Sequence, residues 1–505
     1  MPSIVLATLN AKYAHSAFGL RYLLANMGPL RPETTMLEFT IDLRPVDVVE
    51  AILAREPRIV GLSVYIWNVE LCRQVAELLR RLAPALTIVV GGPEVSYELD
   101  DQPWLSEVDY IVCGEGERAF PELCDRLLSG RRPLQRIIDG GLPDLESIAL
   151  PYDLYSDDDL RQRVLYVEAS RGCPYRCEFC LSSLDKKVRP FPLPKLIEAF
   201  DQLIDRGARR FKFVDRTFNL DLARSAALLE YFLERIGLDL DLFVHFEMVP
   251  DRLPAGLRAL IARFPAGSLQ FEIGIQTLDD AVGERIKRRQ DLSKTFDNLC
   301  FLRTETGVHM HTDLIVGLPG ESAEGFGAGL DRLLAAGVQE IQVGLLKRLR
   351  GTPIARHSED FGMVYDPRPP YSLLRSEAID FATMQRLKRF ALLWDTFWNR
   401  GEFTSSMRLL WTDGSPFART LAFADWLFAE AGRVHSISLQ KRAGYLGRYL
   451  IQVRDLPHDQ VAATIAADFT ANGRPAPDLF APPKRQRSAK ATPERQQRHL
   501  HRASS

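Results

Sequence analysis

Two stretches of this chain alternate short apolar runs with amphipathic helical patterns, and that alternation limits the fold more than any other feature. In the first, residues 4–9, 35–39, 59–65, 86–90 and 108–113 read as strands, with helices over 16–26, 46–54 and 69–82. The last helix carries Val69, Leu71, Cys72, Val75, Leu78, Leu79 and Leu82 at helical spacing. Strands joined through helices call for right-handed crossovers, hence a parallel, doubly wound sheet. Ligands of such sheets lie at the carboxyl ends of the strands. Gly91-Gly92-Pro93 and Gly114-Glu115-Gly116-Glu117 follow two of those strands. Glycine there permits unusual backbone angles and close approach to a ligand, although ordinary strand-to-helix turns use it too.

The second stretch predicts strands over 164–169, 210–215, 242–247, 269–276, 309–317 and 341–346, with helices over 191–205 and 222–235. Six strand–helix units make a partial parallel barrel, whose active residues come from the carboxyl ends of strands. Three strands carry polar residues in apolar settings: Glu247, Gln276 and Asp313. Beyond residue 355 a proline-rich connector at 363–371 precedes helical patterns, one of which aligns Phe390, Leu393, Trp394, Phe397 and Trp398 on a core-type face. The expected class is α/β: a doubly wound domain over 1–135, a linker over 136–160, a partial (β/α)6 barrel over 161–355, and a small, mostly helical domain over 356–480. A basic tail over 481–505 has too little apolar surface to form a core and is expected to be disordered.

Three of the seven cysteines fall within eight residues, Cys173-Pro-Tyr-Arg-Cys177-Glu-Phe-Cys180. Closely spaced thiolates of this kind are iron–sulfur ligands. A four-iron cubane wants four ligands and no fourth cysteine lies nearby, so one iron would stay open to a small molecule. A zinc site is the competing reading, but zinc prefers C-x2-C pairs and recruits His or carboxylate, and no histidine lies near this loop.

The C-x3-C-x2-C motif resembles that of the radical S-adenosylmethionine (SAM) enzymes, and Phe179 before the last cysteine matches the family's habit. The resemblance implies a 4Fe-4S cluster on Cys173, Cys177 and Cys180, with SAM at the open iron. The I-G-x-Q and D-x-I-x-G-L-P-G segments around Gln276 and Asp313 resemble one branch of that barrel. They imply that Gln276, Asp313 and Glu247 hydrogen-bond the ribose or amino-acid portion of SAM. Residues 59–63, 90–94 and 109–117 resemble the cobalamin-binding domain that precedes the SAM domain in many such proteins. By that likeness Ser63, Gly91, Gly92 and Pro93 line the corrin and its nucleotide tail, and Gly114-Glu115 follows the last strand. The D-x-H-x-x-G motif, whose histidine ligates cobalt, is absent, which implies cobalt without a protein imidazole. The helical domain resembles an uncharacterised extension found on one subfamily of these proteins.

The resemblance as a whole implies a cobalamin-dependent radical SAM enzyme that cleaves SAM to a 5′-deoxyadenosyl radical and methylates an unactivated carbon of an unidentified substrate. It would draw electrons from a donor such as flavodoxin or ferredoxin. A methylthiotransferase-like enzyme is an alternative, since Cys72, Cys113 and Cys124 lie upstream and that class needs a second cluster. A non-catalytic cobalamin or iron–sulfur carrier is another. Lys and Arg number 64 against 66 Asp and Glu, so bulk charge gives no pull toward nucleic acid, which is not an expected partner. No apolar run is long enough to span a bilayer, and the start of the sequence has no signal-type pattern. Cytoplasmic residence, without a membrane partner, is expected.

Overall fold

In the computed structural model, residues 2–238 and 241–476 are described; the expected tail over 481–505 lies outside them. The chain divides into two compact units, one up to Lys388 and one from Arg389 onward.

The first unit opens with a six-stranded parallel sheet: β1 (Ile4–Asn10), β2 (Thr34–Thr40), β3 (Ile59–Ser63), β4 (Thr87–Gly91), β5 (Tyr110–Cys113) and β6 (Ile137–Asp139), in the order β2-β1-β3-β4-β5-β6. Helices α1 (Phe18–Ala25), α2 (Pro45–Leu53), α3 (Val69–Leu82) and α4 (Ala119–Leu128) connect the strands. Alternation along β1 assigns its side chains to two cores. Val5, Ala7 and Leu9 pack with α2 and α3, whereas Ile4 and Leu6 pack with α1 and α4. All seven residues of β1 are buried, as a parallel strand covered on both faces requires. Residues 137–139, read from the sequence as linker, instead form the sixth strand, pairing Ile111, Val112 and Cys113 with Ile137, Ile138 and Asp139. So short a run, with no alternation of apolar and polar residues, gave no periodic signal for it.

A buried ion network fastens this sheet to the helix that leads into the barrel. Arg21, 1% exposed, lies 2.9 Å from both Glu38 and Asp159. Asp159 belongs to that helix, α5 (Asp157–Gln162), which Ser156 caps through a reciprocal capping box. Arg163 reaches Glu38 at 2.9 Å and Asp159 at 3.0 Å.

The second sheet is parallel and in sequential order: β7 (Leu165–Val167), β10 (Arg210–Phe213), β11 (Phe243–Met248), β12 (Leu269–Gln276), β13 (His309–Val316) and β14 (Glu340–Leu345). Between β7 and β10 a two-residue ladder, β8 (Ser170–Arg171) with β9 (Arg189–Pro190), closes the cysteine hairpin, followed by α6 (Leu193–Asp205). Helices α7 (Leu222–Ile236), α8 (Ala255–Ile261), α9 (Asp280–Arg285), α10 (Leu292–Glu305) and α11 (Ala323–Ala335) cover the outside. In β12 the buried residues are Leu269, Phe271, Ile273 and Ile275, so Gln270, Glu272, Gly274 and Gln276 take the other face. Register places Glu247 beside Glu272, Glu272 beside His311, and Gly274 beside Asp313. A polar belt thus lines the inner face near the carboxyl ends of the strands.

After β14 the connector is less superficial than its prolines suggest. β15 (Val364–Tyr365) pairs with β16 (Leu373–Arg375). Tyr371, 7% exposed, donates its hydroxyl to Glu94 Oε1 at 2.5 Å, and Arg350 lies 3.0 Å from the same carboxylate. The connector therefore holds the turn after β4.

The second unit begins within α12 (Phe381–Trp394), which passes into one π-helical turn over Asp395–Asn399. It continues through α13 (Thr404–Leu410), α14 (Pro416–Ala431), α15 (Leu439–Gln452) and α16 (His458–Ala471). Its centre is aromatic: Trp394 stacks on Trp411 at 5.8 Å, and Phe397 meets Phe403 and Phe423. Asp468, 3% exposed, accepts from the Ser405 and Ser406 amides at 2.8 and 2.9 Å, capping α13 from α16.

Candidate active site

Two cavities open at the carboxyl ends of the two sheets. The first, of ≈ 470 Å³, lies over β3, β4 and β5. Ser63, Gly91, Gly92, Pro93, Gly114 and Glu115 all line it, together with Tyr65, Tyr97 and, from the barrel, Arg171 and Arg216. Among its described lining residues there is no histidine. Gly92 has φ +115, and a Cβ there would lie 2.5 Å from the Val64 carbonyl oxygen. Backbone conformation and the adjacent chain thus demand this glycine, rather than the open cavity, which corrects the simple view of it as clearance for a ligand. Gly114, at φ +80, takes the same left-handed region at the next strand end.

The second cavity, of ≈ 180 Å³, is lined by Cys173, Cys177 and Cys180 with Glu247, Gln276 and Asp313. The sequence named each of these six. Among the described residues no group of three His, Cys, Asp or Glu is arranged to hold a single metal ion; the three thiols line one cavity.

Asp313 Oδ1 is buried without a hydrogen-bond partner among the described residues. Burial first, then Glu272 and Glu247, push its carboxyl up to about 8, against the pull of Arg288 and Lys212. Glu247 is likewise raised, by burial, while Arg216 at 3.3 Å pulls the other way. Glu272 is held down at about 2: burial would raise it, but His245 and Lys212, each 3.1 Å away, overcome that. Gln276 ends β12 at φ +71, just past a register shift between Gly274 and Gln276. Such a backbone, unusual for a side-chain-bearing residue, re-aims the amide into the cavity.

The sequence reading missed Glu272, Arg216 and the role of Arg288. Glu272 could have been found, since period-two alternation puts it on the same face as Gln276. Arg288 belongs to the basic run at 285–289, but only the structure separates its members. Arg285 bonds the Pro319 carbonyl, Lys287 lies 3.2 Å from Glu178, and Arg289 faces solvent beside Glu284. Arg288 alone enters the cavity, donating to the Gly274 carbonyl and to Cys177 Sγ at 3.4 Å. His15, in the segment after β1, hydrogen-bonds the Tyr166 hydroxyl at 2.6 Å, and Tyr13 packs against Arg163.

The hairpin that carries the cysteines is pinned on both sides. Arg171 lies 2.8 Å from Glu115, 2.7 Å from Glu117 and 2.9 Å from Glu168. Arg189 pairs with Glu115 as well, and with Asp185 at 3.1 Å. Glu178, between two of the cysteines, is buried and bound by Lys287, Arg356 and His357, the last at 2.7 Å. Its amide donates to the Ile286 carbonyl and its carbonyl accepts from Ile354.

The upstream cysteines do not form a second ligand set. Cys72 is in the core on the α2–α3 side of the first sheet and Cys124 in the core on the α1–α4 side. Burial raises both thiols to about 12, as suits structural cysteines.

A cysteine-lined barrel mouth thus lies beside a glycine-turned, doubly wound sheet. Residues 4–124 match the B12 binding domain, residues 167–333 the radical SAM superfamily, and residues 359–502 a protein family of unknown function, DUF4080. The chain thus carries, in order, a B12-binding domain, a radical SAM domain and a DUF4080 domain.

Among relatives, the 2-(S-pantetheinyl)-carbapenam-3-carboxylate methyltransferase of Streptantibioticus cattleyicolor is 28% identical over 319 residues, 56% of this chain and 46% of its own. The cobalamin-dependent radical SAM methyltransferase TokK of Streptomyces tokunonensis is 28% identical over 356 residues, 63% and 51% of the two chains. The chain spans about half the length of these relatives. Among solved structures, the radical SAM methyltransferase TsrM of Kitasatospora setae, with cobalamin and a [4Fe-4S] cluster bound, matches at TM-score 0.56 and 19% identity, covering 70% of this chain and 74% of its own. The cobalamin-dependent radical enzyme OxsB, with aqua-cobalamin bound, matches at TM-score 0.65 and 13% identity, covering 95% and 82%. These likenesses show the fold. No helix among the described residues is long and apolar enough to cross a membrane.

Proposed function

We propose that this chain is a cobalamin-dependent radical SAM enzyme that methylates an unactivated carbon. The observation that carries the reading is the meeting of the two cavities: one holds the three thiols with the Asp313 and Gln276 side chains, the other the glycine turns, and Arg216 lines both. Cys173, Cys177 and Cys180 would hold the cluster. Asp313, whose buried Oδ1 lacks a partner among the described residues, and Gln276 and Glu247 suit the ammonium and hydroxyls of SAM, because an ionised carboxylate accepts hydrogen bonds only. Ser63, Gly91, Gly92, Pro93, Gly114 and Glu115 would border cobalamin, with no histidine offered to its cobalt. The two cofactors together would supply one-electron reduction, a carbon radical and a transferable methyl group. The protein's own residues position them, keep Asp313 and Glu247 shielded from bulk water, and fix the cysteine hairpin against the first domain. Methyl transfer is favoured over other cobalamin chemistry by the two methyltransferase relatives, the carbapenam enzyme and TokK. A small redox protein of the flavodoxin or ferredoxin class would supply the electron.

The test is anaerobic purification and reconstitution, with iron, sulfide and cobalamin measured on one sample. About four irons and one cobalamin per chain are expected, and changing all three cysteines to Ala should remove the iron and all SAM cleavage while cobalamin remains. Full iron in that triple variant, or no cobalamin in the unaltered protein, would overturn the reading.

A further inference from the structure

Arg216 follows β10 in the segment Asp215-Arg216-Thr217, and both neighbours are tied to the cysteine hairpin. Asp215, 5% exposed, accepts from the Ala169 amide at 2.8 Å and from Ser170 Oγ at 2.6 Å. Thr217 Oγ1 lies 3.9 Å from Cys173 Sγ. The backbone at Arg216 is therefore fixed at the root of the hairpin, while its side chain is 55% exposed.

Among the described residues, Arg216 is the one common to the linings of the two cavities. Its side-chain partner among the described residues is Glu247, at 3.3 Å. Arg171, the other arginine on the strand-end cavity, behaves differently: 14% exposed, it is engaged by Glu115, Glu117 and Glu168. A guanidinium has five N–H donors in a fixed fork, so Arg171 is fully committed and Arg216 is not. Glu247 stands beside Glu272 in the sheet register and feels Glu272 as a like charge. Arg216 is the near cation that offsets it. A cationic ligand entering the cysteine pocket would compete with Arg216 for that carboxylate, and a released Arg216 already borders the other cavity without any movement of the backbone.

We propose that Arg216 is a positioning residue that couples the two cavities: it pairs with Glu247 while the cysteine pocket is empty, and turns to the strand-end cavity when a cationic ligand takes Glu247. This rests on the reading that SAM, with its sulfonium and ammonium, fills the cysteine pocket and cobalamin the strand-end cavity. The electrostatic state of the cobalamin site would then depend on whether SAM is in place.

The full-length protein, reconstituted with cluster and cob(II)alamin, tests this by calorimetry and electron paramagnetic resonance. In the unaltered protein, SAM should perturb the cob(II)alamin spectrum. In Arg216→Met that response should disappear at unchanged iron and cobalamin content, and SAM should bind about two- to fivefold more tightly, as expected for loss of a partly exposed competing ion pair. Arg216→Lys should restore part of the response. Glu247→Gln, without SAM, should give the spectrum that the unaltered protein gives with SAM. The proposal is overturned if Arg216→Met keeps the normal response, or if its SAM affinity falls. A protein that takes up no cobalamin would refute the functional reading instead, and the calorimetric comparison would still decide whether Arg216 competes for Glu247.

Discussion

Asp313→Asn offers the sharpest test of the cysteine pocket, because the carboxyl's environment fixes the sign and size of a pH effect. Burial, Glu272 and Glu247 raise Asp313 to about 8, with Arg288 and Lys212 opposing and His311 Nε2 3.8 Å from its Oδ1. At pH 7 about one molecule in ten would then carry the carboxylate. If SAM's ammonium is bound by the ionised form, binding at pH 7 releases close to one proton. Affinity should rise about tenfold from pH 6 to 7 and flatten near pH 8, where the ligand's own α-ammonium begins to lose its proton. A charge-assisted hydrogen bond lost in Asp313→Asn should cost about 1.5–3 kcal/mol once the carboxylate is ionised, near pH 8. At pH 6, ionising the aspartate itself costs about 2.7 kcal/mol, so the variant's disadvantage should nearly vanish. The sign for stability is opposite. A carboxyl raised above its unfolded value contributes stability that is fully present below about pH 4 and is lost as pH rises through about 8. The ligand-free Asn variant should therefore withstand denaturant better than the unaltered protein at pH 8–9. The assay is titration calorimetry in two buffers of different ionisation heat, which yields the proton count directly. No proton release at pH 7, or an Asn variant with the same pH profile, would refute the assignment of Asp313 to a cationic ligand.

Two further outcomes concern the architecture. Gly92→Leu should destabilise the first domain by about 1–3 kcal/mol or more, since its Cβ would meet the Val64 carbonyl at 2.5 Å; Ser63→Tyr should instead exclude cobalamin at near-normal stability, and equal melting temperatures for the two variants would contradict this. Glu178→Ala should leave the half-exposed Lys287 and Arg356 and the buried His357 without their shared anion and cost about 1–3 kcal/mol, seen as faster loss of iron to a chelator; unchanged release would show that the clamp does not hold the loop.

The parts of this fold legible in the sequence are those governed by periodicity. The strand over residues 269–276 is recovered residue for residue as β12 because its apolar side chains alternate without interruption, and the glycines at 91–92 and 114 mark the ends of β4 and β5. Short elements escaped for the converse reason. β6 and the β8–β9 ladder have too few residues to show a period, and they exist because neighbouring strands supply their hydrogen bonds. The site divides in the same way. Cys173, Cys177 and Cys180 declare themselves by local spacing. Arg216 and Arg288 look like any surface arginines until β10 and β12 bring them to the same cavity, 111 positions separating Arg288 from the Cys177 sulfur it touches. Contacts formed over such separations leave no periodic trace.

The grip of Glu115 on the cysteine hairpin has a consequence for modularity. Arg171 and Arg189, flanking the motif on β8 and β9, draw their counter-charge largely from the turn after β5. A barrel severed from the first domain would carry two guanidinium groups crowded at the base of its cluster loop, stripped of Glu115 and Glu117. Glu168 and Asp185 would remain beside them, but the loss of the other ion pairs would loosen the β8–β9 ladder that closes the hairpin. Transplanting this barrel behind another sheet would keep the hairpin fully paired only where that sheet presents acidic residues at the same strand end.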